Sequence, residues 1–102
     1  MKITQDGDSL NISEVKDLCS VNSESFRHEV CRSLAASVKT IEVDLSQTRF
    51  VDSCGLGALI GVYKTATRSN NDVTVRLLNP SAPLQQMFEL TRLHRIFEVV
   101  QR

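Results

Sequence analysis

Tryptophan is absent from this 102-residue chain, and the remaining aromatics are one Tyr and four Phe. Its core must therefore be mostly aliphatic. Net charge is absent as well, because twelve Lys and Arg balance twelve Asp and Glu. That balance excludes the strong, salt-sensitive attraction of a basic protein for nucleic acid or an anionic membrane surface. With 41% hydrophobic and 24% charged residues, the composition also excludes an acidic disordered tail. No apolar run approaches the ~18 residues of a membrane span, and Met1–Asp6 lacks the apolar stretch of a secretory signal. A cytoplasmic protein without membrane insertion is expected. Cysteines are few and odd in number: Cys19, Cys31 and Cys54 stand 12 and 23 residues apart, which fits neither a disulfide scaffold nor a zinc pattern. His28 and His94, 66 residues apart and without neighbouring ligand types, read as surface residues. No metal and no bound cofactor are expected. The length allows one domain, residues 1–102, with one sheet and helices against it.

What is present is a regular alternation of strand and helix patterns. Met1–Gln5 alternates weakly, Ser9–Ser13 places Leu10 and Ile12 on one face, and Asp6-Gly7 between them suits a tight hairpin turn. From Asn22 to Val38, the residues Phe26, Val30, Leu34 and Val38 recur every four, which predicts a helix with Asn22 as N-cap and Val21 stapled onto Phe26. Its other face carries Glu24, Arg27, His28, Glu29 and Arg32, a set of solvated ion pairs. Thr40–Leu45 reads as a strand. Leu56, Leu59, Ile60 and Tyr63 begin a second helical repeat that runs to about Ser69, where Asn70-Asn71-Asp72 breaks it. Val73, Val75 and Leu77 alternate as a strand, Ser81 caps a helix carrying Leu84, Met87, Phe88 and Thr91, and Ile96–Val100 forms a last strand. The order β-β-α-β-α-β-α-β calls for crossovers, and hence for an α/β fold with a small mixed sheet.

One junction stands out: Asp52-Ser53-Cys54-Gly55-Leu56-Gly57, between a strand and a helix, holds two nucleophilic side chains and two glycines. Free N–H groups at a helix start favour an anion. A dinucleotide fingerprint fails, because Ile60 occupies the third glycine position, and no Lys-Ser/Thr completes a phosphate-binding loop. On spacing alone, Gly55, Gly57 and Gly61 let helix and sheet approach closely. Cys54 reads as a buried or half-buried small residue, since nothing nearby identifies a general base. Ser53 is a candidate for modification: phosphorylation would add about −1.5 to −2 charge there.

The segments Ile41-Glu42-Val43-Asp44-Leu45-Ser46, Phe50 through Leu59, and Val73–Leu78 with Asn79-Pro80 resemble the STAS family, which includes bacterial anti-sigma factor antagonists and the cytoplasmic domains of sulphate transporters. The match is densest from Ile41 to Phe97. The resemblance implies a mixed β-sheet with helices packed mainly on one side. It also implies a non-enzymatic regulator in which Ser53 is phosphorylated by a partner anti-sigma factor acting as a serine kinase. The unphosphorylated form would bind that partner and free a sigma factor, and a phosphoserine phosphatase would restore it. Asp52, Ser53, Cys54, Gly55, Leu56 and Gly57 would form the partner surface, together with the helix from Cys54 to Ser69. Three positions depart from the family pattern. Cys54 stands where many antagonists have a second serine, Arg92 where a glycine is common, and Glu14-Val15-Lys16-Asp17 blurs an acidic-glycine signature. If the glycine replaced by Arg92 has positive φ, the turn there is expected to differ.

Two other readings stay open on the sequence. A non-switching STAS adaptor of a lipid-transport ATPase complex would use the same helix for constitutive docking, and a thiol enzyme would use Cys54. Charge is also uneven along the chain: residues 1–52 hold six Lys and Arg against nine Asp and Glu, and residues 53–102 hold six against three.

Overall fold

In the computed structural model, which describes residues 1–69 and 72–102, the chain follows the expected order. Strands β1 (Lys2–Asp6) and β2 (Ser9–Ser13) form the hairpin, helix α1 (Ser23–Arg32) crosses to β3 (Thr40–Asp44), and α2 (Ser53–Ser69) crosses to β4 (Thr74–Leu78). Helix α3 (Ala82–Leu90) and a short 3-10 turn (Leu93–Arg95) lead to β5 (Glu98–Val100). The five strands lie in the order β1-β2-β3-β4-β5, with β1 antiparallel to β2 and the other neighbours parallel. Gly7, at φ 62°, takes the first central position of the two-residue hairpin turn.

Register explains where the core sits. Leu10, Ile41 and Val75 align across β2, β3 and β4, and Ile12, Val43 and Leu77 form the next row. All six are buried and belong to one cluster with Phe26, Val30, Leu59, Val62, Leu84 and Phe88 from the helices. Because strand side chains alternate, the other face carries the intervening polar residues. There Glu42 receives Arg76 at 3.3 Å and Arg102 at 2.9 Å, and Arg76 also meets Glu98 at 3.3 Å. The hydrogen bonds to Glu42, then to Glu98, hold the Arg76 guanidinium above its ordinary pKa. A raised cation loses its contribution only as pH climbs through the strongly basic range, so this network is constant across neutral pH.

Helix α1 is shorter than its periodicity predicts. It stops at Arg32 rather than Val38, and the Ser33 hydroxyl donates back to the Glu29 carbonyl. Lys39 and Thr40 must both donate to Asp8 O to start β3, so the chain turns at Ala35–Val38 and delivers Val38 to the core from a loop. Asn22 does not cap α1; its side chain bridges Cys19 N and Asp17 O instead. Val21 is 91% exposed and staples nothing. Ser81 does sit at the N-cap of α3, though without a side-chain bond, and the last strand begins at Glu98 rather than Ile96. The helix break expected at Asn70-Asn71 lies outside the described residues.

Arg92 takes a positive φ although it carries a Cβ. It adopts φ 60°, ψ 21° just after α3, and Glu14 takes φ 57° just after β2. Both are left-handed positions that an L side chain with a Cβ occupies at a cost of roughly 1–2 kcal/mol. Replacing Arg92 by Gly relieves that cost while enlarging the entropy of the unfolded chain. Arg92→Gly is therefore expected to stabilise the fold by about 0.5–1 kcal/mol, read as a higher midpoint in urea unfolding at unchanged slope.

Candidate functional site

Two loops meet at the C-terminal end of the parallel strands, and together they hold the start of α2. The first joins β2 to α1, the second joins β3 to α2. Leu18 and Val51 form an isolated parallel bridge, in which Leu18 N donates to Phe50 O at 2.9 Å and Asp52 N to Leu18 O at 3.0 Å. Buried Thr48 donates its hydroxyl to Val15 O at 2.6 Å, and Arg49 N reaches Asp17 Oδ1 at 3.3 Å. Thr48, Asn22 and the Leu18–Ser20 backbone are the site-building groups that periodicity did not reveal. Asn22 acts within its own loop, whereas the contacts of Thr48 and of the Leu18–Ser20 backbone span more than thirty residues of sequence.

Asp52 is the joint between the loops and the helix. One carboxylate oxygen accepts Gly55 N–H at 2.9 Å, which is the N-cap bond of α2, and the other accepts Ser20 N–H at 3.1 Å. Its backbone carbonyl accepts Leu56 N–H at 2.9 Å. Asp52, expected on the partner surface, is thus also a structural clamp with both oxygens engaged.

The three glycines divide by role. A Cβ at Gly55 would stand 2.8 Å from Leu18 Cβ and closer still to the Leu18 carbonyl oxygen, so only glycine lets the first turn of α2 rest on that backbone. Gly61 faces the flexible stem of Arg27 on α1, and Gly57 faces open space. Close approach was expected of all three; it holds against rigid backbone only at Gly55. Ser53, Cys54 and Gly57 are exposed, Leu56 is half-buried and Gly55 is buried. Cys54 thereby departs from the expected burial. It lines an open groove with Ser20, Ser23, Glu24, Arg27, Gly57 and Ala58, a set that contains no histidine. Two exposed apolar residues, Val21 and Phe50, belong to the same two loops.

This geometry separates the glycines experimentally. Gly55→Ala is expected to destabilise the fold by about 1–3 kcal/mol through overpacking against backbone, whereas Gly57→Ala is expected to stabilise it by about 0.5–1 kcal/mol through helix propensity. Asp52→Ala removes the cap and the loop tether, with an expected loss of about 1–2 kcal/mol. Chemical denaturation of the three variants measures all of these.

A STAS domain family model matches residues 1–102. Solved structures agree with the architecture. The Thermotoga maritima protein TM1081 superposes with a TM-score of 0.85 at 22% identity, covering 99% of this chain and 85% of that one. An anti-sigma-factor antagonist (STAS) domain protein from Planctomyces limnophilus gives 0.84 at 14% identity, with 98% and 87% covered. The anti-sigma factor antagonist SpoIIAA in its unphosphorylated form gives 0.70 at 21% identity, with 87% and 81% covered, and the Bacillus SpoIIAA in its phosphorylated form gives 0.71 at 18%, with 99% and 89% covered. At these identities the structural likeness establishes the α/β fold. With the family model spanning the whole chain, the conclusion is that this protein belongs to the STAS domain family.

Proposed function

We propose that residues 1–102 act as one phosphorylation-switched binding unit, a cytoplasmic anti-sigma factor antagonist of bacterial transcription control. Ser53 is its phosphoacceptor. In the unphosphorylated state the surface around Asp52, Ser53, Cys54, Gly55, Leu56 and Gly57 binds an anti-sigma factor that is also a serine kinase, and so releases a sigma factor. A phosphoserine phosphatase resets the cycle. The observation that carries this reading is the exposure of Ser53 at the first residue of a capped helix, where a kinase can reach the hydroxyl without unfolding anything. The likeness to SpoIIAA, solved in phosphorylated and unphosphorylated forms, supports it.

The physical basis of the switch is local. Unmodified Ser53 is small and neutral, and it lies beside the exposed Cys54 and Gly57 on a surface that a partner can approach closely. A phosphoryl group would add about −1.5 to −2 charge next to the Asp52 carboxylate and carry its hydration into the contact. The positive end of α2 tolerates that charge within the monomer, so affinity changes while the fold does not. Gly55 and Leu56, respectively buried and half-buried, support the surface from beneath.

The test has two parts. Incubation with a candidate anti-sigma kinase and ATP is expected to add one phosphoryl group, mapped by peptide mass spectrometry to Ser53 and lost in Ser53→Ala. In binding measurements, Ser53→Ala is expected to keep the affinity for the kinase and Ser53→Asp to weaken it by at least about tenfold, or about 1.4 kcal/mol. Unmodified Ser53 together with unaltered binding by Ser53→Asp would refute the switch, and retained binding of both variants to a transport ATPase would favour a constitutive adaptor.

A further inference from the structure

Strand β1 offers an unpaired edge whose chemistry is self-complementary. Among the described residues no strand pairs with its outer side. Asp6 and Ser9 close the two-residue hairpin, so they form a hydrogen-bonded pair, and by alternation so do Thr4 with Asn11 and Lys2 with Ser13. Ile3 and Gln5 therefore turn their N–H and C=O groups outward. Protective devices at sheet edges include proline, a bulge and charged side chains, which repel a neighbour unless it brings the opposite charge. β1 contains no proline, and its register with β2 is unbroken over five residues. Its two charges, Lys2 and Asp6, are opposite in sign and exposed, and neither takes part in an ion pair among the described residues.

We propose that β1 is the interface of a two-fold symmetric dimer, in which β1 of a second copy adds antiparallel to it with Thr4 opposite Thr4. This register places Ile3 opposite Gln5 of the second copy, so each outward N–H and C=O finds a partner. It also places Lys2 opposite Asp6 twice, in non-hydrogen-bonded positions where cross-strand side chains come closest. A shift of two residues one way leaves Lys2 opposite Thr4, a shift the other way leaves it opposite only Asp8 in the turn beyond the strand, and a parallel arrangement sets Lys2 against Lys2. On the helix side, half-buried Ile3 shares a groove with Glu29, Arg32 and Ser33 of the α1 end, where Glu29 and Arg32 again present opposite charges to a two-fold mate. The contact is isologous, and the two sheets become one continuous sheet. Because the axis is perpendicular to that sheet, the two Ser53 ends point in opposite directions and stay exposed. The inference rests on β1 alone and stands whether or not Ser53 is a phosphoacceptor.

Sedimentation equilibrium of the full chain over about a hundredfold concentration range tests it. The apparent mass is expected to rise from 11.4 kDa toward twice that value. Lys2→Asp and Asp6→Lys, both at exposed positions, are each expected to weaken self-association by at least about tenfold with unchanged circular dichroism. An equimolar mixture of the two variants is expected to regain the dimer, since opposite charges then meet at both contacts. Amide exchange at Ile3 and Gln5 is expected to slow as concentration rises, while Thr4, bonded to β2, is protected throughout. A constant mass of 11.4 kDa, a dimer indifferent to both charge reversals, or exchange at Ile3 and Gln5 independent of concentration would overturn the proposal.

Discussion

The contact on which the rest of the site depends is the rest of α2's first turn on the backbone at Leu18. It needs a residue without a Cβ at position 55, and it needs the Leu18–Ser20 loop held in place. Asp52 and the Leu18–Val51 bridge supply the second requirement from the opposite loop. One carboxylate thus fixes both the start of the helix and the floor beneath it. The result is a rigid platform at the end of a sheet, built from loops that would otherwise be free to move. Ser53 and Cys54 are exposed because Gly55 is not.

That division clarifies why a short motif has the composition it does. Asp52 and Gly55 serve the fold, whereas Ser53, Cys54 and Gly57 face outward and are free to serve a partner. A carboxylate already bonded to two backbone N–H groups is also held still, so the negative charge beside Ser53 is fixed in place.

The order of elements along the chain was legible because alternation at Leu10 and Ile12, Ile41 and Val43, and Val75 and Leu77 reflects burial of one sheet face, a local property of each strand. Helix α2 was legible for a similar reason. The end of α1 was not, because Val38 repeats the helical spacing by coincidence and reaches the core from a turn set by pairing at Asp8. The Asp52 clamp was equally hidden, since its second partner, Ser20, is 32 residues away. Arg92 shows a subtler limit: a residue with a poor preference for positive φ adopts it when Thr91 ends a helix and Leu93 must enter the core. Local preference gave way to packing there.

The two edges of the sheet are unequal. β5 is three residues long, and the chain beyond it is fastened across the structure by Gln101 to Pro80 and Gln85, and by Arg102 to Asn79 and Glu42. β1 is five residues long and, among the described residues, carries no such straps, its Gln5 side chain reaching only the neighbouring Gly7 carbonyl. A sheet with two equivalent edges can propagate copy after copy, as fibrils do. Here pairing at β1 would consume that edge on both molecules and leave at either end only the three-residue β5, a much poorer template for a next copy.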